Sequence, residues 1–246
     1  MTKSEAPEMQ RGSKWAAFAT VLAIFIIYFV LVRIIRHFLA PEINAIQMPA
    51  DAPAAWWHVL QSISTVAIAT LISALAPLWL YLHVRKRRMR DLGLTRQGTL
   101  VAWLIVLALQ GGIVWLQLHS PMGPWARAPN HLNPYALLAS AIVAPAAAFG
   151  EEILFRGYIM DELKGGGFGR VLQVIISMLL FGAAHVTLAS ADWTIPVFTG
   201  LLGGLWSIIY LLGKRSLWPS IVGHMINDAV LAPSAIYMVI QFGGHY

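Results

Sequence analysis

The feature that most limits this chain is the length of its charge-free runs. No Asp, Glu, Lys or Arg interrupts the 18 residues between Lys14 and Arg33, the 33 between Asp51 and Arg85, or the 30 between Arg96 and Arg127. Further runs of 23, 21 and 21 residues separate Arg127 from Glu151, Arg170 from Asp192, and Asp192 from Lys214. A helix that crosses a bilayer needs about 20 apolar residues, and each run is of that order. Composition agrees. Hydrophobic residues make up 58% of the 246 and charged residues only 11%, where a soluble domain carries roughly 25%. So few charges cannot cover a water-facing surface, which excludes an ordinary soluble enzyme and a disordered tail.

The runs place helices over about 15–38, 57–83, 98–118, 134–161, 170–189, 193–212 and 216–241. Backbone groups in lipid must be satisfied within their own segment, and no alternating pattern suggests a barrel. The expected fold is all-α, a polytopic membrane bundle of about seven helices. It has eight if Asp228 and Pro233 divide the last region into one and a half crossings. Residues 1–133 form three N-terminal membrane helices with their loops, and 134–246 a helical core. The 18-residue apolar run at the start exceeds the 7–15 residues of a signal-peptide core, so it is expected to be a retained first helix.

Charge sets the orientation. The densest basic run, Arg85, Lys86, Arg87, Arg88 and Arg90, lies between two apolar stretches with no aromatic residue interleaved. That pattern is a positive-inside loop rather than a nucleic-acid surface. With this loop in the cytoplasm the N-terminus is cytoplasmic too. Of the 17 Lys and Arg residues, only Arg33, Arg36 and Arg127 then fall on the far side. The protein is expected to be integral and multi-pass, in the plasma membrane if prokaryotic. Membrane lipid is a partner, and the oligomeric state is left open.

The sequence has no cysteine, which removes thiol nucleophiles, thiolate zinc sites and iron–sulfur clusters. Gly165–Gly167 and Gly169 lack the Lys-Ser/Thr ending of a phosphate loop and mark a turn. Gly200, Gly203 and Gly204 fall on a membrane helix, where small residues permit close packing. Gln110 and Gln117 are expected to hydrogen-bond between helices, and most of the ten Trp residues to sit near the membrane edges.

Ionisable side chains inside a membrane are costly, about 2.5–3.5 kcal/mol each on insertion scales. The embedded set is Glu151, Glu152 and Arg156 on the fourth helix, His185 on the fifth, and His224 with Asp228 on the seventh. At about 1.5 Å per residue, Glu151 lies ~18 Å from the turn after its helix and His185 ~22 Å from the same turn. His224 is ~12 Å past Ser216 by the same rise. The three clusters can therefore meet. Glu152 and Arg156, four apart, share a face and form a buried pair that holds their helix. Glu151 is turned about 100° away and is unpaired on its helix; a lone embedded carboxylate suits a general base. Phe181 can wall the His185 imidazole four residues on. Asp228 can fix the tautomer of His224, while adjacent Asn227 points elsewhere. A lone His on an apolar helix is usually a satisfied core residue, so His185 gains a functional reading only beside the others.

As spaced, these residues resemble a known pattern. Glu151-Glu152-Ile-Leu-Phe-Arg156 fits EExxxR, Phe181-Gly-Ala-Ala-His185 fits FxxxH, and His224-Met-Ile-Asn-Asp228 fits a final HxxxB, B being Asn or Asp. Together and in order they resemble the CPBP family of CAAX and bacteriocin-processing intramembrane proteases, over about 134–232. The resemblance implies a conical cavity in the membrane, Glu151 as the base that activates water, and His185 helping to hold that water. It places His224 and Asp228 at the oxyanion-stabilising positions, and Glu152 and Arg156 as a supporting pair. Prenyl-processing members carry Asn where this chain has Asp228. An ionised Asp cannot donate, so Asp228 is expected to orient His224, which donates.

The expected activity is peptide-bond hydrolysis on a peptide or lipidated-peptide substrate, CAAX-type C-terminal processing among the options, with no cofactor. A zinc site of Glu151, His185 and His224 is the alternative, although HExxH is absent. The rival from another class is a non-catalytic immunity factor or scaffold on the same fold. A transporter lacks the paired broken helices of two repeats.

Overall fold

The computed structural model describes residues 14–39, 53–119, 134–186 and 193–242. Eight α-helices run through them: α1 (Lys14–Leu39), α2 (Pro53–Val84), α3 (Leu100–His119), α4 (Pro134–Glu152), α5 (Met160–Gly165), α6 (Arg170–His185), α7 (Thr194–Leu212) and α8 (Trp218–Phe242). A π-helical stretch, Ile153–Ile159, joins α4 to α5 without a break, and a short 3₁₀ turn, Met89–Leu92, follows α2. No strand occurs among the described residues. Five helical stretches there are long and apolar enough to cross a membrane, the one from Leu137 to Gly165 spanning both α4 and α5.

Each helix buries one face and turns the other to lipid. In α1, Ala17, Val21, Ile24, Phe25 and Tyr28 are buried, while Ile26, Ile27, Val30 and Ile34 are exposed. That three-and-four spacing is one stripe of a 3.6-residue helix. In α2, Ala74, Leu78 and Leu82 do the same. Pro77 and Pro145 sit inside α2 and α4. Each removes a backbone donor, a loss that membrane helices tolerate because neighbouring groups compensate. Four residues before Pro77, Ser73 donates to the Ala69 carbonyl at 2.8 Å.

The core of the bundle is α4 packed between α2 and α8, with α6 against α7 and α3 against α7 and α8. The α6–α7 contact depends on glycine. A Cβ on Gly182 would stand 2.6 Å from the Pro196 carbonyl oxygen, and one on Gly203 2.8 Å from the Phe181 ring. Gly200 and Gly204 meet Gly182 and Met178 similarly, so the expectation of packing glycines is correct.

One end of the bundle is tied by its connections. Arg87 pairs with Asp161, Arg96 donates to the Lys214 carbonyl, Ser216 donates to the Arg96 carbonyl, and Trp218 Nε1 donates to the Leu94 carbonyl. Gly93, at φ 113°, receives the Leu217 amide on its carbonyl, and a Cβ there would meet the Arg215 carbonyl. These bonds fix where α8 starts, and hence how far His224 reaches into the bundle.

Two expectations are corrected, and a third point, left open, is narrowed. The fourth helix is not regular. It widens into the π stretch directly after the Glu pair and then continues to Gly165. The fifth ends at His185 rather than at 189, and residues 187–189 lie outside the described residues. The last is a single 25-residue helix, so neither Asp228 nor Pro233 divides it, although the Pro233 side chain lies outside the described residues.

Candidate functional site

The EExxxR segment is the longest unbroken buried run among the described residues: every residue from Glu151 to Met160 is buried, with Glu152 and Arg156 fully so. Two charges with no water must find partners. Arg156 Nη1 donates to Glu152 Oε1 at 2.7 Å, and Nη2 donates to the Gly203 carbonyl of α7 at 2.7 Å. The guanidinium carbon also lies 4.5 Å from the Phe181 ring centroid. The expected Glu152–Arg156 pair is present, and it ties α4 to both α6 and α7.

Glu152 does more than neutralise Arg156. The same Oε1 receives His224 Nδ1 from α8 at 2.9 Å. A carboxylate oxygen accepts, so Nδ1 carries the hydrogen and Nε2 is directed to the opposite side. There, Nε2 stands 3.9 Å from Glu151 Oε2 and 3.5 Å from Asp228 Oδ2. Asp228, expected to fix the tautomer of His224, shares the Nε2 edge with Glu151, and the bond to Nδ1 comes from Glu152. The reason is geometric. Asp228 lies one helical turn beyond His224 on the same face, whereas Glu152 approaches from a different helix. Asn227 is buried beside them, its amide 3.4 Å from Asp228 Oδ1.

His185 comes to the same place from α6. Its Nδ1 donates to the Phe181 carbonyl at 2.7 Å, which leaves Nε2 as the other edge of the ring. Its ring centroid lies 4.8 Å from that of Phe181, as expected from their spacing. Phe181 also contacts His224 at 5.8 Å. Both imidazoles are within electrostatic reach of the Glu151 carboxylate, and of Asp228. The eight residues singled out from sequence are therefore brought together by α4 with its π-helical continuation, α6 and α8. They come from positions up to 77 residues apart, Glu151 to Asp228.

What this arrangement can hold is specific. Among the described residues, no three His, Asp or Glu side chains are arranged to bind one metal ion. His224 Nδ1 is committed to Glu152, and its Nε2 edge is the one turned toward Glu151 and Asp228. The arrangement places the buried Glu151 carboxylate beside the His224 Nε2 edge with His185 within electrostatic reach, suited to moving one proton and stabilising one negative charge.

Sequence reasoning missed two contributors. The Gly203 carbonyl is the second acceptor for Arg156. Trp206 is buried against His224, with ring centroids 6.1 Å apart and planes 14° apart, where an edge position had been expected for most of the tryptophans. The available signal was its place in the middle of α7 rather than at an end, beside a run of glycines.

Residues 133–230, 98 of the 246, match the family model described as Type II CAAX prenyl endopeptidase Rce1-like. No curated protein and no solved structure matches the chain. The matched segment contains all three motifs, so the resemblance read from them holds. At family level this segment resembles a CAAX-type intramembrane protease domain, and the five long apolar helices among the described residues mark an integral membrane protein.

Proposed function

We propose that the chain is an intramembrane endopeptidase that hydrolyses a peptide bond with water activated by Glu151, without a metal. One observation carries the reading: a single imidazole, His224, is gripped at Nδ1 by Glu152 and faces Glu151 and Asp228 with Nε2.

Glu151 takes a proton from a water held between it and His185. The hydroxide adds to the substrate carbonyl carbon, and the carbonyl oxygen becomes an oxyanion. A proton on His224 Nε2 stabilises that charge, a contribution of about 2.7–4 kcal/mol for one well-placed donor. The carbon–nitrogen bond then breaks, and Glu151 returns its proton to the departing amine. Glu152 and Arg156 do not touch the substrate in this scheme; they hold His224 in place. Asp228 biases the orientation of the same ring from its Nε2 side.

The substrate we propose is a peptide presented at the membrane, with CAAX-type prenylated peptides the first class to try because the matched family model is of that type. We further propose seven crossings, formed by α1, α2, α3, α4 continued through α5, α6, α7 and α8. The N-terminus and the Arg85–Arg90 loop are then cytoplasmic.

The test is purified protein in liposomes, offered farnesylated, geranylgeranylated and unlipidated peptides with and without a CaaX ending, and read by mass spectrometry. Wild type should release a C-terminal fragment and Glu151→Ala should not. Wild type and variant that are equally inert on every peptide would favour the non-catalytic scaffold. Inhibition by a membrane-permeant chelator, reversed by zinc, would overturn the metal-free scheme.

A further inference from the structure

The site residues named so far lie within 133–230, yet the ring at its centre is held from behind by groups the three motifs do not include, one of them outside the matched segment altogether. We propose that Trp206 of α7 is a positioning residue for His224, and that Gln110 of α3 locks the two together. The proposal rests on the endopeptidase reading for its kinetic consequence, but its structural claim stands apart from it.

His224 has two side-chain torsions to fix. Glu152 Oε1 fixes where Nδ1 lies. One hydrogen bond leaves the ring plane free to tilt about it, and tilting moves Nε2 away from Glu151 and Asp228. The plane is set by aromatic neighbours: Trp206 lies parallel to it within 14°, and Phe181 meets it at 64°. An offset parallel ring and an edge contact on one imidazole are the two favoured aromatic geometries.

Trp206 is itself immobilised. It is 1% exposed and packs with Ala102, Val106 and Ile209. A Cβ on Gly223 would stand 2.7 Å from the Trp206 ring and 3.3 Å from Val106. Only glycine at the position before His224 lets the indole lie against the α8 backbone. On that same residue, Gln110 Nε2 donates to the Gly223 carbonyl at 2.9 Å. Because a carbonyl must accept, the amide orientation is fixed by this bond. Thus α3, which precedes the matched segment, contributes a side chain to α8 one residue from His224.

A tilt that misplaces a reacting group by about 1 Å can cost roughly 100-fold in rate. The experiment compares Trp206→Leu, Trp206→Phe and Gln110→Met with wild type in liposomes. We expect kcat to fall about 10- to 100-fold in Trp206→Leu with KM within a factor of about three, and Trp206→Phe to recover most of the loss. Gln110→Met, which keeps volume and loses the bond, should lower kcat by a smaller factor and leaves a test if Trp206→Leu does not fold. The second readout is NMR of ¹⁵N-histidine-labelled protein: the His224 signals should shift or broaden in Trp206→Leu and stay near wild type in Trp206→Phe. Folded variants with wild-type kcat and unmoved His224 signals would overturn the proposal. If wild type cleaves no peptide, the endopeptidase reading fails while the His224 signals still decide whether Trp206 holds the ring.

Discussion

Replacing Arg156 by Met should destabilise the bundle more than any other single change at the site. The side chain is fully buried, and it makes two short charge-assisted hydrogen bonds, to Glu152 and to the Gly203 carbonyl. Removing one partner of a buried ion pair typically costs about 3–5 kcal/mol, because the other charge is left without compensation. Here Glu152 keeps one partner, His224 Nδ1 at 2.9 Å, which places the expected loss near the lower end, about 3 kcal/mol. The Gly203 carbonyl keeps its other bond, from Ser207 at 2.9 Å, and adds little. Changing Glu152 to Gln as well removes the stranded charge, so the double variant Glu152→Gln/Arg156→Met should be more stable than Arg156→Met alone by about 1 kcal/mol or more. The assay is reversible unfolding in mixed micelles of increasing denaturing detergent, comparing both variants and Glu152→Gln with wild type. A loss below about 1 kcal/mol in Arg156→Met, or a double variant less stable than either single, would refute the view that buried charge, rather than side-chain volume, dominates here.

Three further outcomes follow from the same geometry. Glu151→Gln keeps the shape of a side chain that no buried cation neutralises directly, so stability should change little while cleavage falls by about 10²- to 10⁴-fold, the usual contribution of a positioned base; thermal melting beside peptide turnover checks both halves. Gly182→Ala forces a methyl group to within 2.6 Å of the Pro196 carbonyl unless α6 and α7 separate, which should cost about 1–3 kcal/mol and reduce turnover, since those helices carry His185 and Trp206; melting temperature and kcat report it. Because the sequence contains no cysteine, a single Lys86→Cys reports topology cleanly: it is an exposed position and should react with an impermeant maleimide only from the cytoplasmic side, and reaction from the opposite face would invert the orientation proposed above.

The helix positions and the eight candidate site residues were legible in the chain because both depend on short-range rules. Charge-free length fixes where a helix must run, and the four-residue spacings of Glu152–Arg156, Phe181–His185 and His224–Asp228 are properties of a single helix. The Glu152–Arg156 bond and the Phe181–His185 contact were found where that spacing puts them. His224–Asp228 was less simple. The spacing was right, but the partner of Nδ1 came from Glu152, 72 residues away, and nothing in a heptad-scale pattern encodes which of two carboxylates arrives first. The π stretch after Glu152 was equally hidden, since its residues have no composition that separates them from an ordinary apolar turn.

The sequence by itself determined that the chain lives in a membrane, that it is helical, and that a few ionisable groups lie along its apolar helices at a cost. Hydropathy and helical period are local quantities, readable without knowing what packs on what. Only the tertiary structure decided which edge of His224 faces Glu151, that Gly203 lends a carbonyl to Arg156, and that Trp206 and Gln110 stand behind the ring. Those choices follow from the close approach of helices at Gly182, Gly203 and Gly223, and from the bonds near Gly93 and Ser216 that set where α8 begins. They are set by packing between segments far apart in the chain, where van der Waals contact and hydrogen-bond direction decide among partners that sequence spacing leaves equivalent.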